Sequence, residues 1–290
     1  MGWLNALPGA IAQGIIWGIM AIGVYITYKV LDIADLTVDG SICTGAAVCT
    51  MLVISGVNVW LAMLAALAAG MAAGLLTGVF HTFMGIPAIL AGILTQLILW
   101  SVNLKILGKA NQALPARNFY VLVTQLKKTQ TLLVLAAVSI VLIAVLYWFF
   151  GTELGSSIRS TGCNISMSRA QGINTDFNKI LGLMLSNGIV ALAGALLAQY
   201  QGSADINMGR GAIVIGLAAV IIGEAVFSRI SRNFIVRLLG VICGGIIYYI
   251  VYQTVIFFGL DTDLLKMLSA LVVAFFLAVP YWKGKYISSG

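Results

Sequence analysis

Charged residues are scarce in this chain. Lys, Arg, Asp and Glu make up 9% of its 290 residues, hydrophobic residues make up 61%, and the mean hydropathy is +1.06. Water-soluble globular domains carry about 25% charged residues, so this composition excludes a soluble globule. The net charge of +7 requires no nucleic acid, because basic residues gather at the edges of membrane spans. The composition therefore indicates a membrane protein without a nucleic-acid partner.

Residues that carry catalysis or bind metals are also few. The four cysteines, Cys43, Cys49, Cys163 and Cys243, form no CxxC motif, so we expect small buried hydrophobes and neither disulfides nor metal ligands. His81 is the only histidine, and its place at the end of an apolar run favours a solvated end residue over a ligand. P-loop, HExxH and GxSxG motifs are missing. We therefore predict no catalytic residue, metal site or cofactor in this chain, and a membrane enzyme is a weak alternative.

Long apolar runs, by contrast, are abundant. A hydrocarbon core about 30 Å thick needs roughly 20 apolar residues per helix, and the chain offers about nine such segments. They cover residues 10–28, 41–54, 57–80, 87–102, 131–150, 180–200, 212–227, 236–258 and 264–282. The 32 glycines favour close approach of helices in lipid. We predict an all-α fold: one polytopic membrane helix bundle in a single domain.

Two polar interruptions of these runs share a pattern. ADLTVDGSICTGAAV begins at Ala34, and ADINMGRGAIVIGLAAV begins at Ala204, 170 residues later. Five predicted spans separate the two copies, so they cross the membrane in opposite directions. Inverted repeats with broken helices are typical of alternating-access transport. We predict repeat one over about residues 10–105 and repeat two over about 179–283. Chance similarity of apolar sequence is the alternative.

The breaks and nearby polar residues form a predicted translocation path. Its members are Asp35, Thr37, Asp39, Gly40, Ser41, Thr95, Gln96, Ser186, Asn187, Asp205, Asn207 and Gly209. We expect helical pairing to fail across Thr37–Gly40 and the helix to resume at Ser41. The first break should lie near the cytoplasmic side and the second near the external side, so that each helps to form one gate. Alternatively, the aspartates cap helices or pair with Lys29 or Arg210.

Glu224 is an isolated acid in an apolar run. Ionisable residues within a membrane are functional hypotheses by default. Arg229 and Arg232 follow it closely, so we favour an interfacial ion pair over a proton or substrate site.

The stretch Arg159–Asn178, RSTGCNISMSRAQGINTDFN, is polar and lies between two apolar runs, hence at one membrane face. Asn164 can cap a short helix over about Ile165–Gln171, and Gly172 can end it, because glycine takes positive φ without strain. A capped helix outside the bilayer suggests a docking partner. An ordinary interfacial loop is the alternative.

The order TGCNISMSRAQGI resembles the cytoplasmic coupling segment of ABC permeases for branched-chain amino acids and ribose, the binding-protein-dependent transport family 2. The matching residues are Gly162, Asn164, Arg169, Gly172 and Ile173. Ile165 stands where an acidic residue is common, and Ser168 where alanine is usual. The resemblance implies that these residues, with Ser168, seat the segment in an ATP-hydrolysing subunit. The IADLTVDGS order most resembles a branch of tryptophan/tyrosine-type uptake permeases.

The resemblance implies the permease subunit of an ATP-driven importer in the bacterial cytoplasmic membrane. The solute would be small, with an amino acid favoured, and an external substrate-binding lipoprotein would deliver it. Implied partners are a second permease copy in a homodimer and two cytoplasmic ATPase subunits that hold ATP and Mg. The N-terminus would lie outside, although the five basic residues of the 103–130 loop would then also be outside, against the usual bias. The alternative function is a secondary transporter or channel without ATPase partners.

Overall fold

A computed structural model describes residues 2–115, 119–227 and 233–257, together with five isolated positions beyond 257. The helices in this part are α1 Gly2–Tyr25, which continues as a π-helical turn Ile26–Val30, α2 Val38–Ile54, α3 Val59–Thr82, α4 Ala88–Leu107, α5 Lys128–Gly151, α6 Glu153–Cys163, α7 Ile165–Ala170, α8 Thr175–Gln201, α9 Ala212–Phe227 and α10 Phe234–Phe257. Two short strands, β1 Asn111–Ala113 and β2 Ser203–Asp205, pair antiparallel.

The predicted all-α membrane bundle is confirmed. Within the described residues, six helices are long and apolar enough to cross a membrane: α1, α3, α4, α5, α8 and α10. The shorter apolar helices are α2 and α9. These eight match the first eight predicted segments, whereas the ninth, 264–282, lies largely outside the described residues. The exact number of nine spans is therefore not confirmed.

Helices α1 and α8 occupy the centre of the bundle. They are the most buried of the six membrane-length helices, and α5 is the least. Leu133, Ile140 and Trp148 of α5 are exposed, as expected for side chains that face lipid. The outer helices are therefore stabilised by the match between their apolar surfaces and the bilayer, and not by burial in a hydrophobic core as in a water-soluble protein.

The inner helices of the two predicted repeats pack in a reciprocal way, α1–α3 of the first against α8–α10 of the second. Helix α3 packs most extensively on α8, and its counterpart α10 packs most extensively on α1. Helix α2 packs mainly on α8, whereas its counterpart α9 packs mainly on α10 and to a lesser extent on α1. Each copy thus buries much of its apolar surface against the other copy. This exchange is what two copies related by a pseudo-two-fold axis produce, and it supports an internal repeat.

The two ends of the bundle differ. Helices α3 and α8 run antiparallel, since Gly78 lies against Ile180 and Gly70 against Asn187. The end of α3, the start of α8 and helices α6 and α7 therefore share one end, here named the coupling side. Strand β1 follows the C-terminal end of α4, and strand β2 follows the C-terminal end of α8. This other end of the bundle is here named the far side.

Candidate functional site

The first helix break covers residues 31–37 and opens toward the coupling side. The π-helical turn ends at Val30, and α2 begins at Val38. Our prediction that the break spans Thr37–Gly40 and that the helix resumes at Ser41 is wrong. The physical reason is a local turn: Oδ1 of Asp35 accepts a hydrogen bond from the backbone N–H of Thr37 at 2.9 Å, which starts the helix early.

Asp39, Gly40 and Ser41 therefore lie in the first turns of α2. An acidic residue in the first turn favours a helix, because its charge complements the positive N-terminal end of the helix dipole. The sequence pattern was misinterpreted because Asp and Gly are also common in turns.

Asp35 is the centre of a buried polar cluster. Its Oδ2 accepts a hydrogen bond from Nδ2 of Asn187 at 2.7 Å, and Asn187 Oδ1 accepts one from Oγ of Ser41 at 2.6 Å. All three side chains are almost completely buried. Burying a carboxylate is unfavourable unless donors satisfy it, so these bonds tie the break and α2 to α8.

A chain of threonines extends this cluster. The hydroxyls of Thr37 and Thr77 share a hydrogen bond of 2.7 Å, and Thr77 donates to Thr95 at 2.9 Å. The chain connects the break with α3 and α4, and all three residues are buried. Thr77 was missed in the sequence because a lone threonine in an apolar helix usually bonds its own backbone.

The second break covers residues 202–211 and opens toward the far side. Oδ1 of Asp205 accepts a hydrogen bond from the N–H of Asn207 at 2.7 Å, the same turn that Asp35 makes with Thr37. The two predicted copies of the repeat thus share this local hydrogen bond as well as their sequence pattern.

The second break touches the first turns of α2. A Cβ added at Gly209 would collide with the carbonyl oxygen of Asp39. Asp39 in turn caps α9: its Oδ2 accepts from the N–H of Gly211 and its Oδ1 from that of Ile213, both at 3.0 Å. The second break and the start of α9 thus contact the start of α2. That the two breaks form separate gates stays a prediction.

The predicted path residues divide into three groups. Six are buried inside the chain: Asp35, Thr37, Ser41, Thr95, Ser186 and Asn187. Ser186 donates to the carbonyl of Gly23 at 2.8 Å. Three line a cavity of about 130 Å³ between α2, α4 and the second break: Asp39, Gly40 and Gln96. Three belong to the second break, where Asp205 is half-buried, Asn207 is exposed and Gly209 is buried. That these residues line a solute path stays a prediction.

The coupling segment contains the short helix that the sequence predicts. Helix α7 begins after Asn164, whose Oδ1 accepts from the N–H of Met167 at 3.0 Å, and Gly172 has φ +79°.

The residues before α7 were not expected to be helical, but Arg159–Cys163 form the end of α6. Thr152 caps α6 through a hydrogen bond from the N–H of Gly155 at 3.3 Å. This stretch contains many Ser and Gly residues, which have low helix propensity, so the sequence did not predict α6.

Helix α6 connects α7 to the first break. The hydroxyls of Ser160 and Ser168 share a hydrogen bond of 2.8 Å, and Ser168 is fully buried. On the other face of the segment, a Cβ added at Gly162 would collide with the carbonyl oxygen of Val30, the last residue before the break. Helix α6 therefore contacts both α7 and the residue that precedes the break.

That Arg169 contacts an ATPase subunit stays a prediction. Within the chain, its Nε donates to Oγ1 of Thr175 at 2.9 Å, and its Nη2 lies 3.3 Å from Oδ1 of Asp176. Arg169 thus braces α7 against the start of α8. The side chain is still 59% exposed, and the nearby side chains of Ile165 and Met167 are exposed as well. Ile173 is half-buried, and its N–H donates to the carbonyl of Ser168 at 3.0 Å.

Comparison with known proteins identifies the family. The profile described as "Branched-chain amino acid transport system / permease component" matches residues 7–277. The chain belongs to this permease family. It is 40% identical over 276 residues to the tyrosine transport system permease protein of Clostridioides difficile (strain R20291), covering 95% of this chain and 91% of that one. It is therefore a multi-pass membrane transport subunit, as the resemblance implied.

Solved structures show the same fold. PsaBC from Streptococcus pneumoniae in complex with Fab matches with a TM-score of 0.51 and 16% identity, over 95% of this chain and 89% of that chain. A metal-chelate type ABC transporter in an inward-facing conformation matches with a TM-score of 0.51 and 14% identity, over 97% and 85% of the two chains. The helix arrangement of the permease is thus that of ABC transporter membrane subunits.

Glu224 makes an ion pair: its Oε2 lies 3.0 Å from Lys29 Nζ. The basic residues that we expected near it, Arg229 and Arg232, lie outside the described residues. Lys29 is therefore engaged by Glu224, and the aspartates of the breaks are held by the backbone and Asn187. All four cysteines are free, with Cys163 exposed. In the described ranges, no group of His, Cys, Asp or Glu could hold a metal ion.

Proposed function

We propose that this permease is the membrane subunit of an ATP-driven importer for an amino acid in the bacterial cytoplasmic membrane. Two permease copies would form a homodimer, and two cytoplasmic ATPase subunits, which hold ATP and Mg, would bind α6 and α7. An external binding lipoprotein would deliver the solute at the far side. The family assignment and the fold of its structural relatives support this assembly.

The observation that carries the proposal is the contact between the coupling segment and the first break. Helix α7 is exposed on its outer face and fastened to α6 by the Ser160–Ser168 hydrogen bond. Helix α6 meets Val30 through Gly162 without an intervening side chain. Since backbone contacts yield little, a partner that moves α7 also moves the residues that lead into Asp35.

The proposed mechanism has two states. Closure of the ATPase pair would displace α7, and α6 would shift Val30 and the break. The buried Asp35 cluster would follow, and through α2 so would Asp39 and the start of α9. Packed interfaces of this kind change between discrete arrangements, so ATP binding would favour one accessibility of the path over the other.

An amino acid is the proposed solute because of one relative. The protein of Clostridioides difficile that is 40% identical over most of both chains is named a tyrosine transport system permease. Tyrosine is accordingly the first solute to test, followed by tryptophan and the branched-chain amino acids.

The experiment is uptake into proteoliposomes that contain the permease with its ATPase subunit and binding protein. We expect L-tyrosine uptake that requires internal ATP and the binding protein. Uptake that persists without the ATPase subunit and follows an ion gradient would favour a secondary transporter and overturn the proposal.

Variants of the coupling segment sharpen this experiment. Gly172→Val forces a β-branched residue into positive φ, and Arg169→Glu removes the brace to Asp176, so both should lower ATPase co-purification and uptake. The matched control is Gly85→Val, which carries the same strain at φ +67° in the α3–α4 connection with open space around it. If Gly172→Val behaves like Gly85→Val, the segment is an ordinary loop.

A further inference from the structure

The cavity between α2, α4 and the second break is placed where the two repeats meet. Helix α2 starts at the first break and runs toward the far side. Helix α9 starts at the second break and runs toward the coupling side, where Glu224 near its end meets Lys29 at the end of α1. The N-termini of both short helices therefore meet in the interior of the bundle. Asp39, Gly40, Gln96, Trp100, Asn103 and Arg210 line the cavity there.

One cavity residue has an unsatisfied polar atom. Asn103 is 1% exposed, and its Nδ2 faces the carbonyl oxygen of Gly40 at 3.5 Å. A carbonyl only accepts, so the facing atom must be the amide nitrogen, and Oδ1 is left without a partner. A buried acceptor without a donor is unfavourable, so Asn103 is suited to accept from a group that enters the cavity.

The charges at the cavity are balanced and separated. Asp39 supplies a carboxylate whose two oxygens each accept one backbone N–H, which leaves further acceptor capacity. Arg210 supplies a guanidinium, and among the residues that the structure describes it makes no ion pair. A site with one charge of each sign favours a dipolar ligand over a simple cation or anion.

The cavity is small, with a volume of about 130 Å³. It has room for an ammonium group, an α-carbon and a carboxylate. Trp100 is 45% exposed at the rim, so its ring offers an apolar surface to a side chain that projects outward.

We infer that this cavity is a binding point for the α-amino carboxylate head of the transported amino acid. Arg210 pairs with the carboxylate, Asn103 Oδ1 and Asp39 accept from the ammonium, and Trp100 packs against the side chain. This inference rests on the proposed function and adds three residues, Trp100, Asn103 and Arg210, to the predicted path.

The first test is import by reconstituted complexes of the variants Arg210→Gln and Asn103→Leu. Each should import L-tyrosine about tenfold more slowly, because a charge-assisted or buried hydrogen bond is lost. Arg210→Lys should restore most of the rate. Matched controls are Lys109→Gln, an exposed cation after α4, and Thr50→Val, which removes a buried hydroxyl that also lacks a partner but lies outside the cavity.

The second test identifies the head group and needs no binding protein. L-Tyrosine should raise the thermal unfolding midpoint of the wild-type permease–ATPase complex. Tyramine lacks the carboxylate and 3-(4-hydroxyphenyl)propionate lacks the amine, so neither should do so, and Arg210→Gln should abolish the shift. An equal response to all three compounds, or no response to L-tyrosine, overturns the inference.

The outcomes separate the inference from the function on which it rests. If the wild-type complex imports no amino acid with ATP, both fail. If it does import, but Arg210→Gln and Asn103→Leu keep the rates of their controls, only the inference fails. Should Asn103→Leu not assemble, Arg210→Gln is the deciding variant, because Arg210 is exposed and its replacement leaves no buried gap.

Discussion

Replacing Gly162 by alanine tests the connection between the coupling segment and the first break. The added Cβ would collide with the carbonyl oxygen of Val30 and lie 2.8 Å from its carbonyl carbon and 2.9 Å from Cα of Leu31. Ordinary carbon–carbon contacts are about 3.5–4.0 Å, so α6 must withdraw by about 1 Å. All three atoms belong to the backbone, and no change of rotamer can relieve the collision.

The expected cost of this change is about 1–3 kcal/mol, the usual range for overpacking a well-packed interior. Alanine is a better helix former than glycine, which offsets this cost by roughly 0.5–1 kcal/mol. A destabilisation of about 1–2 kcal/mol should remain, and α6 should sit farther from the break. We therefore expect a lower thermal midpoint of the purified permease and weaker coupling of ATP hydrolysis to import.

The measurements are the thermal midpoint in detergent and the ratio of solute imported to ATP hydrolysed in proteoliposomes. The matched control is Gly151→Ala at the end of α5, where nothing lies within 4 Å of the added Cβ. The control should keep or slightly raise the midpoint. If Gly162→Ala matches Gly151→Ala in both measurements, the contact with Val30 does not transmit motion and the mechanism is refuted.

Three further predictions concern other contacts. Asp39→Ala leaves the N–H groups of Gly211 and Ile213 without an acceptor and should cost about 1–3 kcal/mol in a thermal or denaturant unfolding assay, whereas an unchanged stability would contradict the cap. Glu224→Gln breaks a partly exposed ion pair and should change stability by less than about 1 kcal/mol with normal import, so abolished import would reveal a functional acid. Cys163 is exposed and Cys49 is buried, so an impermeant maleimide should label Cys163 and not Cys49. We expect this labelling in inside-out vesicles only, and labelling in intact cells would show that the topology is reversed.

Local patterns predicted the parts of the site that depend on neighbouring residues. Asn164 and Gly172 stand at the two ends of a short polar helix, and α7 begins and ends where capping chemistry requires. The first break was misplaced because Asp39 and Gly40 fit a turn and a helix start equally well. The early start depends on the side chain of Asp35, whose turn with Thr37 becomes visible only in the structure.

Contacts between distant segments were beyond this reasoning. Asp39 caps a helix whose first residues are more than 170 positions away, and nothing in its neighbourhood indicates that partner. The same holds for Thr77, and for Asn103, which the sequence places in a loop and the structure places within α4. Asp39 bonds across the two copies of the repeat, whereas Thr77 and Asn103 bond other helices of the first copy. Contacts between separate helices, in either case, leave no local pattern in the sequence.

The repeat also explains why its two copies differ at one position. Asp39 and Gly209 are counterparts in the two copies, and they touch where the copies meet. Two aspartates there would place two carboxylates together in the interior, where like charges strongly repel. Two glycines would leave the start of α9 without its cap. One aspartate and one glycine avoid both problems: the glycine lets the backbones approach, and the carboxylate binds the N-terminus of the opposite short helix. The asymmetry of this pair therefore follows from the symmetry of the fold, and Gly209→Asp should be more damaging than Gly209→Ala in the same import assay.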